Sequence, residues 1–282
     1  FEWLEVTHAT AARIRVATQP APSTVSQLAF AVQPTIELLD VAGNTVTSDS
    51  ASRVTVALLA GAGILSSTLV QTFATGLATF TGLRITLVGS DKVLRFTAHA
   101  GGFTADSSPT FTITHAPSAK LVFTTQPGTT AVSQIVFSPQ PVLQLQDAST
   151  NVAVTDSLSM ITAVMQSGLG VLSTNVAVTA SNGVVTFANL RLDVIGTDKV
   201  LRFSSSGLTS IDSQVFTITH AVAAKLSISV APGTTLAQAG VVLQPQAVLL
   251  LRDASDNPVT NGVSASGVVT ATLPSGDGFL RT

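Results

Sequence analysis

The sequence predicts an all-β protein, built as β-sandwiches in tandem with about 106 residues per repeat. Three observations predict it. Apolar residues alternate with period two, as in Val54-Thr55-Val56-Ala57-Leu58, and no stretch sustains a helical period between caps. Gly, Asn, Asp and Pro break the apolar runs every few residues, which is the punctuation of strands and turns. The third observation is internal repetition. Val6-Thr7-His8-Ala9 returns as Ile113-Thr114-His115-Ala116 and as Ile218-Thr219-His220-Ala221, so the histidines lie 107 and 105 residues apart (8 to 115, then 115 to 220). Gly89-Ser90-Asp91-Lys92-Val93-Leu94-Arg95-Phe96 returns as Gly196-Thr197-Asp198-Lys199-Val200-Leu201-Arg202-Phe203. Asp40-Val41-Ala42-Gly43-Asn44 returns as Asp147 to Asn151 and as Asp253 to Asn257.

Solenoid repeats run about 20–50 residues, whereas one sandwich domain takes roughly 100. Residues 10–116 therefore form one repeat, 117–221 a second and 222–282 a partial third, and 1–9 read as the last strand of a preceding one. The partial repeats suit either a window on a longer array or completion between molecules.

Each repeat opens with an alternating strand: Ile14 and Val16, Leu121 and Phe123, then Leu226, Ile228 and Val230. Pro20, Pro127 and Pro232 end it, because proline cannot donate to a ladder. A second strand (Ile36 and Leu38; Leu143 and Leu145) leads into the Asp–Asn turn. Strands follow at Arg53–Leu59 and Met160–Met165, Leu65–Phe73 and Leu172–Val178, and Thr79–Ile85 and Val184–Leu192. Lys92–Ala98 and Lys199–Ser204 place Leu94 with Phe96, and Leu201 with Phe203, on one face. Pro109–Thr114 and Gln214–Thr219 close the repeat. Seven or eight short strands in about 100 residues read as an immunoglobulin-like sandwich.

Composition narrows function. Only 10% of residues are charged, 13 Lys and Arg against 15 Asp and Glu, with a net charge of −2. Nucleic-acid binding needs clustered positive charge, so none is expected. The absence of Cys removes disulfides, thiolate metal sites and cysteine nucleophiles. Four His, no Tyr and no Gly-x-Ser-x-Gly elbow leave little for acid–base or nucleophilic chemistry, and no catalysis is expected. The stretches 54–83 and 157–190 are uncharged, yet turn residues break both, so no membrane span is expected.

Two oxygen-rich sets recur: Asp40, Asn44 and Asp49, and Asp147, Asn151 and Asp156. Hard oxygens suit Ca²⁺, which takes 6–8 oxygen ligands. The competing reading is that Asp and Asn open turns by bonding their own backbone. The third repeat keeps Asp253 and Asn257 but carries Val263 near the second Asp. No cofactor is assigned, and calcium stays the weaker alternative. His8, His115 and His220 end their repeats and read as junction residues that pack or hydrogen-bond there. Trp3, Leu4 and Val6 are candidates for the same inter-repeat or inter-chain contacts. Asp91-Lys92 and Asp198-Lys199 read as solvated turn charges, and Arg84, Arg191, Arg95 and Arg202 as surface side chains. Linkers of about five residues (His115–Ala119, His220–Ala224) are too short to swivel, which predicts a semi-rigid rod.

The opening Ala-Lys-Leu (Ala119 to Leu121; Ala224 to Leu226), the Asp-x-x-x-Asn turn trailed by Val-Thr (Val46-Thr47, Val154-Thr155, Val259-Thr260), the Gly-to-Thr-Phe strand (Gly76 to Phe80; Gly183 to Phe187) and the final Phe-x-Ile form an ordered set. It resembles the bacterial immunoglobulin-like repeats of long cell-surface proteins, the invasin/intimin-type and giant surface adhesins. The Ile-Thr-His-Ala ending departs from that pattern. The resemblance implies an extracellular or cell-surface location and a role as stalk, spacer, adhesin or filament subunit. Two functions follow: a structural fibre, sheath or stalk that associates with itself or with neighbouring repeats, or a stalk that presents a host- or matrix-binding tip elsewhere in the parent chain. A phage or virus fibre decoration would share the fold.

Overall fold

The computed structural model describes residues 7–99, 102–174, 176–233, 238, 240–262 and 268–272. Among them there is no helix, and none therefore long and apolar enough to cross a membrane. Residues 1–6 lie outside the described residues, and with them Trp3, Leu4, Val6 and most of the strand expected at 1–9.

The first repeat carries β1 (Ala11–Thr18), β2 (Ser23–Val25), β3 (Thr35–Asp40), β4 (Arg53–Ala60), β5 (Leu65–Ser66), β6 (Val70–Thr72), β7 (Leu77–Thr79), β8 (Arg84–Ile85), β9 (Gly89–Ala98), β10 (Asp106–Ser107) and β11 (Phe111–Thr114). They form two sheets, β1-β3-β7 and β2-β11-β9-β4-β6, with β10 paired to β9. The chain's first edge is divided: β1 pairs antiparallel with β3, and β2 runs parallel to β11 in the other sheet. That is the immunoglobulin order, with the first, second and fifth main strands facing the third, sixth and seventh. The fold is thus an all-β immunoglobulin-like sandwich.

Cross-strand pairing explains the core. β1 and β3 set Ile14 opposite Leu38 and Val16 opposite Ile36. β4 and β9 set Val56 opposite Phe96 and Leu58 opposite Leu94. Period two sends these to one face, where the two sheets meet. Phe30 meets Phe111 edge-on at 5.5 Å, and Phe80 tilts against Phe96 at 5.7 Å. Ser108 seals one end: its hydroxyl accepts the Leu94 N–H at 3.0 Å and donates to Pro109 O at 2.9 Å.

The second repeat reproduces this as β12 (Lys120–Thr125), β13 (Thr130–Val132), β14 (Val142–Gln146), β15 (Met160–Ser167), β16 (Leu172–Ser173), β17 (Ala177–Thr179), β18 (Val184–Thr186), β19 (Arg191–Leu192), β20 (Gly196–Ser204), β21 (Ile211–Asp212) and β22 (Phe216–Thr219). The orders β12-β14-β18 and β13-β22-β20-β15-β17 match those of the first repeat. Phe187 and Phe123 each pack edge-on against Phe203, at 5.1 and 5.3 Å. Beyond them, β23 (Lys225–Val230) pairs antiparallel with β24 (Val248–Arg252).

Two expectations need correction, and two short strands add to them. The long strands expected at 65–73, 79–85, 172–178 and 184–192 are each two short pieces, because Ser67, Gly82, Thr174 and Asn189 take left-handed backbone between them. The short strands β2 and β13 were not anticipated. Lys92 and Lys199 are not solvated: they are 1% and 2% exposed, and each ammonium donates to a carbonyl, Ala62 O and Leu169 O, at 2.7 Å. Their partners in sequence, Asp91 and Asp198, do face solvent. Glycine makes the room, since a Cβ at Gly61 would sit 2.6 Å from Lys92 Cδ, and one at Gly89 would sit 2.8 Å from its Nζ.

Contacts divide the chain into two compact units: Phe1–Val122 with Gln144–Leu158 and Ala180–Val184, and Phe123–Leu143 with Ser159–Thr179 and Val185–Thr282. The turn at Asp147–Asn151 therefore belongs to the first unit, and that at Asp253–Asn257 to the second.

Candidate functional site

The sequence-marked residues gather at the Asp-x-x-x-Asn turns. In the first unit, β3 delivers Asp40 into a turn closed by Asp40 N–H to Asn44 O at 2.9 Å and Gly43 N–H to Asp40 O at 3.2 Å. Gly43 takes φ +93°, and Thr150 and Asp256 stand in left-handed backbone at the matching positions. Asp40 Oδ1 accepts the Asn44 N–H at 2.8 Å, and its Oδ2 accepts Asn44 Nδ2 and the Ala9 N–H, both at 3.0 Å. Asp147 repeats the set with Asn151 N–H, Asn151 Nδ2 and Ala116 N–H at 2.9, 2.9 and 3.0 Å. Asp253 repeats it with Asn257 and Ala221 at 2.9, 2.9 and 3.1 Å.

These bonds govern the carboxyls. The Ala9 N–H, then the Asn44 amide and backbone, hold Asp40 down at about 2, against burial. At Asp147 and Asp253 burial pushes upward, but the amide and backbone donors outweigh it and the net shift is downward. Both oxygens of each carboxylate are thus occupied by N–H donors from their own turn and linker.

Asp49 serves a different turn. It accepts Ala51 N–H at 3.0 Å, Ser52 N–H at 2.8 Å and Ser52 Oγ–H at 2.7 Å, which lower its pKa, the Ser52 backbone donor foremost. Asp156 accepts Ser118 Oγ–H at 2.6 Å. Ala11 stands where the second repeat has Ser118, and a shallow cleft of about 500 Å³ lies between His8–Ala11 and Val46–Ala51. The residues proposed for calcium are therefore brought to adjoining turns but aim at separate backbone and hydroxyl partners. Among the described residues, no three His, Cys, Asp or Glu side chains converge as metal ligands would.

The histidines lie beside these turns. His115 Nδ1 meets Ala116 O at 2.8 Å, and its Nε2 meets Thr155 N and Oγ1 at 3.2 and 3.0 Å. Because the Thr155 N–H can only donate, Nε2 accepts, and the proton sits on Nδ1 facing the Ala116 carbonyl. His8 does the same with Ala9 O and Ser48 N. His220 differs: its Nδ1 meets Ala221 O at 2.9 Å, and its Nε2 meets Asn261 Oδ1, an acceptor, at 2.8 Å. Each histidine thereby ties a linker to the turn after it.

Sequence reasoning missed the other half of the site. Asn151 is 5% exposed and reaches past its own repeat, inside the first unit. Its Nδ2 donates to Thr86 O at 2.9 Å and Ser26 Oγ at 3.1 Å, and its Oδ1 accepts the Val88 N–H at 3.0 Å. Ser26 Oγ–H donates in turn to Thr86 O. Inside the second unit Asn257, 4% exposed, makes the same bonds to Asp193 O at 2.7 Å, Ser133 Oγ at 3.1 Å and the Ile195 N–H at 3.2 Å. The available signal was the shared spacing of Ser26 with Ser133, which a search for chemistry has no reason to single out.

No known protein family matches the chain, and no curated protein does. Solved structures to which the chain is similar include a β-glycosidase from Bacteroides vulgatus (10% identity over 74% of this chain, TM-score 0.29), of which the chain spans only 25%. Tandem Ig repeats of Dlar match over 76% of this chain and 100% of theirs at 13% identity and TM-score 0.21. Drosophila OTK extracellular domains 3–5 match over 85% and 78% at 14% identity and TM-score 0.27.

Proposed function

We propose that this chain is a non-enzymatic structural repeat region of an extracellular or cell-surface fibre, sheath or stalk, whose sandwich repeats are coupled by the Asp-x-x-x-Asn turns. One observation carries the reading. The asparagine clasp occurs twice with the same atoms in the same roles, once through Asn151 and once through Asn257. A binding or catalytic site has no need to recur at each repeat, whereas a connector does. Low charge supports self-association, since a Thr-, Ser- and Val-rich surface gives up little hydration when it packs. Exposed aliphatic side chains on β15 (Met160, Val164) offer such a surface.

Electron microscopy of the purified chain, with sedimentation over a wide concentration range, tests this. Concentration-dependent filaments or sheets with a period of one or two repeats support the fibre. Single particles at every concentration defeat self-association, and would move function to a tip carried elsewhere in the parent chain.

A further inference from the structure

Three equivalent asparagines occur in three equivalent turns, and they are not in equivalent surroundings. Asn151 and Asn257 are buried against Ser26, Thr86 and Val88 and against Ser133, Asp193 and Ile195. Asn44 is exposed, and among the described residues its side chain bonds only to Asp40, at 3.0 Å. Yet its turn is already set. The Asn44 N–H to Asp40 Oδ1, Asn44 Nδ2 to Asp40 Oδ2 and Ala9 N–H to Asp40 Oδ2 distances of 2.8, 3.0 and 3.0 Å match 2.9, 2.9 and 3.0 Å at Asp147. His8 holds its linker as His115 does. The turn thus has its docking form with no partner across it among the described residues, so binding would cost it little ordering.

We propose that the Asp40–Asn44 turn is a docking face for one kind of partner: the end of another sandwich repeat of this class. The partner presents a serine hydroxyl, a backbone carbonyl that accepts from it, and an N–H two residues beyond that carbonyl. Ser26, Thr86 and Val88 are that triplet, and Ser133, Asp193 and Ile195 are its second instance. An asparagine amide fits the triplet because its Nδ2 donates to hydroxyl and carbonyl while its Oδ1 accepts the N–H. An ammonium or a carboxylate could do only one of these. The triplets at 26–88 and 133–195 already hold Asn151 and Asn257, so the occupant of Asn44 is a further repeat. The proposal rests on the coupling role given to the turns above.

The test adds the occupant. A full chain is extended by a duplicate of residues 10–116 placed directly before residue 10, so that the duplicate's Ser26–Thr86–Val88 triplet faces Asn44. Amide hydrogen exchange is followed at the duplicate's Val88 N–H. Protection there, lost by roughly tenfold or more in Asn44→Ala, is the expected result. Because Asn44→Ala also loosens the turn, Ser26→Ala in the duplicate alone serves as the second variant, and it should speed exchange at the same N–H. The original Val88 N–H, clasped by Asn151, reports on the underlying reading. If Asn151→Ala deprotects the original Val88 while the duplicate's Val88 exchanges freely with Asn44 intact, the docking proposal is overturned and the coupling reading stands. If Asn151→Ala leaves the original Val88 protected, the coupling reading fails too.

Discussion

Replacing Asn151 by alanine should weaken the clasp by an amount the structure allows to be worked out. The side chain has four polar partners: Nδ2 shares its two hydrogens among Thr86 O, Ser26 Oγ and Asp147 Oδ2, and Oδ1 accepts the Val88 N–H. Two acceptors keep other donors. Thr86 O retains Ser26 Oγ–H, and Asp147 retains the N–H groups of Ala116, Ser149 and Asn151. The Val88 N–H loses its acceptor, which costs about 1–3 kcal/mol, and the donated bonds add about 0.5–1.5 kcal/mol each. Water entering the space left by the amide recovers part of this. The expected cost is about 2 kcal/mol. Asn44→Ala removes one exposed side-chain bond and should stay within about 0.5 kcal/mol of the parent chain. Guanidinium unfolding of the two full-length variants, with hydrogen exchange at Val88, makes the comparison. Equal effects of the two substitutions, or an unchanged Val88 N–H in Asn151→Ala, would refute the clasp.

The buried lysine predicts a contrast. Lys92→Ala removes the stem and should cost about 2–4 kcal/mol, whereas Lys92→Met keeps the stem and sheds a buried charge, for less than about 1.5 kcal/mol. Equal losses in chemical denaturation would show that the bond to Ala62 O outweighs the packing. Gly89→Ala puts a Cβ 2.6 Å from Asp91 Oδ1 and 2.8 Å from Lys92 Nζ, while Gly207→Ala, also at positive φ, meets nothing within 4 Å. Gly89→Ala should be the more destabilising in thermal melts, and the reverse order would dispose of the cradle. Acid should act through the turns. Asp40 sits at about 2 when folded against an ordinary 3.8, so its contribution is full above pH 4 and fades as pH falls toward 2. Asp147 and Asp253 shift the same way. A melting temperature that stays flat from pH 5 down to pH 2 would contradict this.

Repetition and period two made the sandwich legible. The alternation that puts Ile14 with Val16 and Leu94 with Phe96 on one face is a local property, and a fixed offset multiplies its weight. The same alternation puts Lys92 in phase with Leu94, so its burial was written in the sequence. A charge beside Asp91 nevertheless reads as a turn, and only the distant Gly61 and the Ala62 carbonyl show how the ammonium is housed. The short β2 was missed because Ser23-Thr24-Val25 has no period of its own. It is a strand because β11 offers it a parallel edge 89 residues later (Ser23 opposite Thr112). The asparagine turn was recognisable as a turn, but half its bonds run to Ser26, Thr86 and Val88, and no local pattern encodes a partner 63 to 125 positions away.

The low charge and the chemistry of the clasp are one choice. A junction between sandwiches must close over backbone groups that strand ends leave exposed, here a carbonyl and an N–H two residues apart. Lysine or glutamate could meet one of them, but would have to surrender its hydration to do so. A carboxamide meets both at once and remains neutral, so its burial costs only the desolvation of groups that are immediately paired again. The charge that is kept, on Asp147 and Asp253, lies behind the amide and orients it: Oδ2 takes Nδ2 while Oδ1 takes the backbone N–H. Exchanging either aspartate for asparagine should therefore loosen the clasp without touching a residue across it. That effect should appear as faster exchange at the Val88 N–H for Asp147→Asn and at the Ile195 N–H for Asp253→Asn. Unchanged exchange at both would mean that the carboxylate only caps its turn and leaves the amide to orient itself.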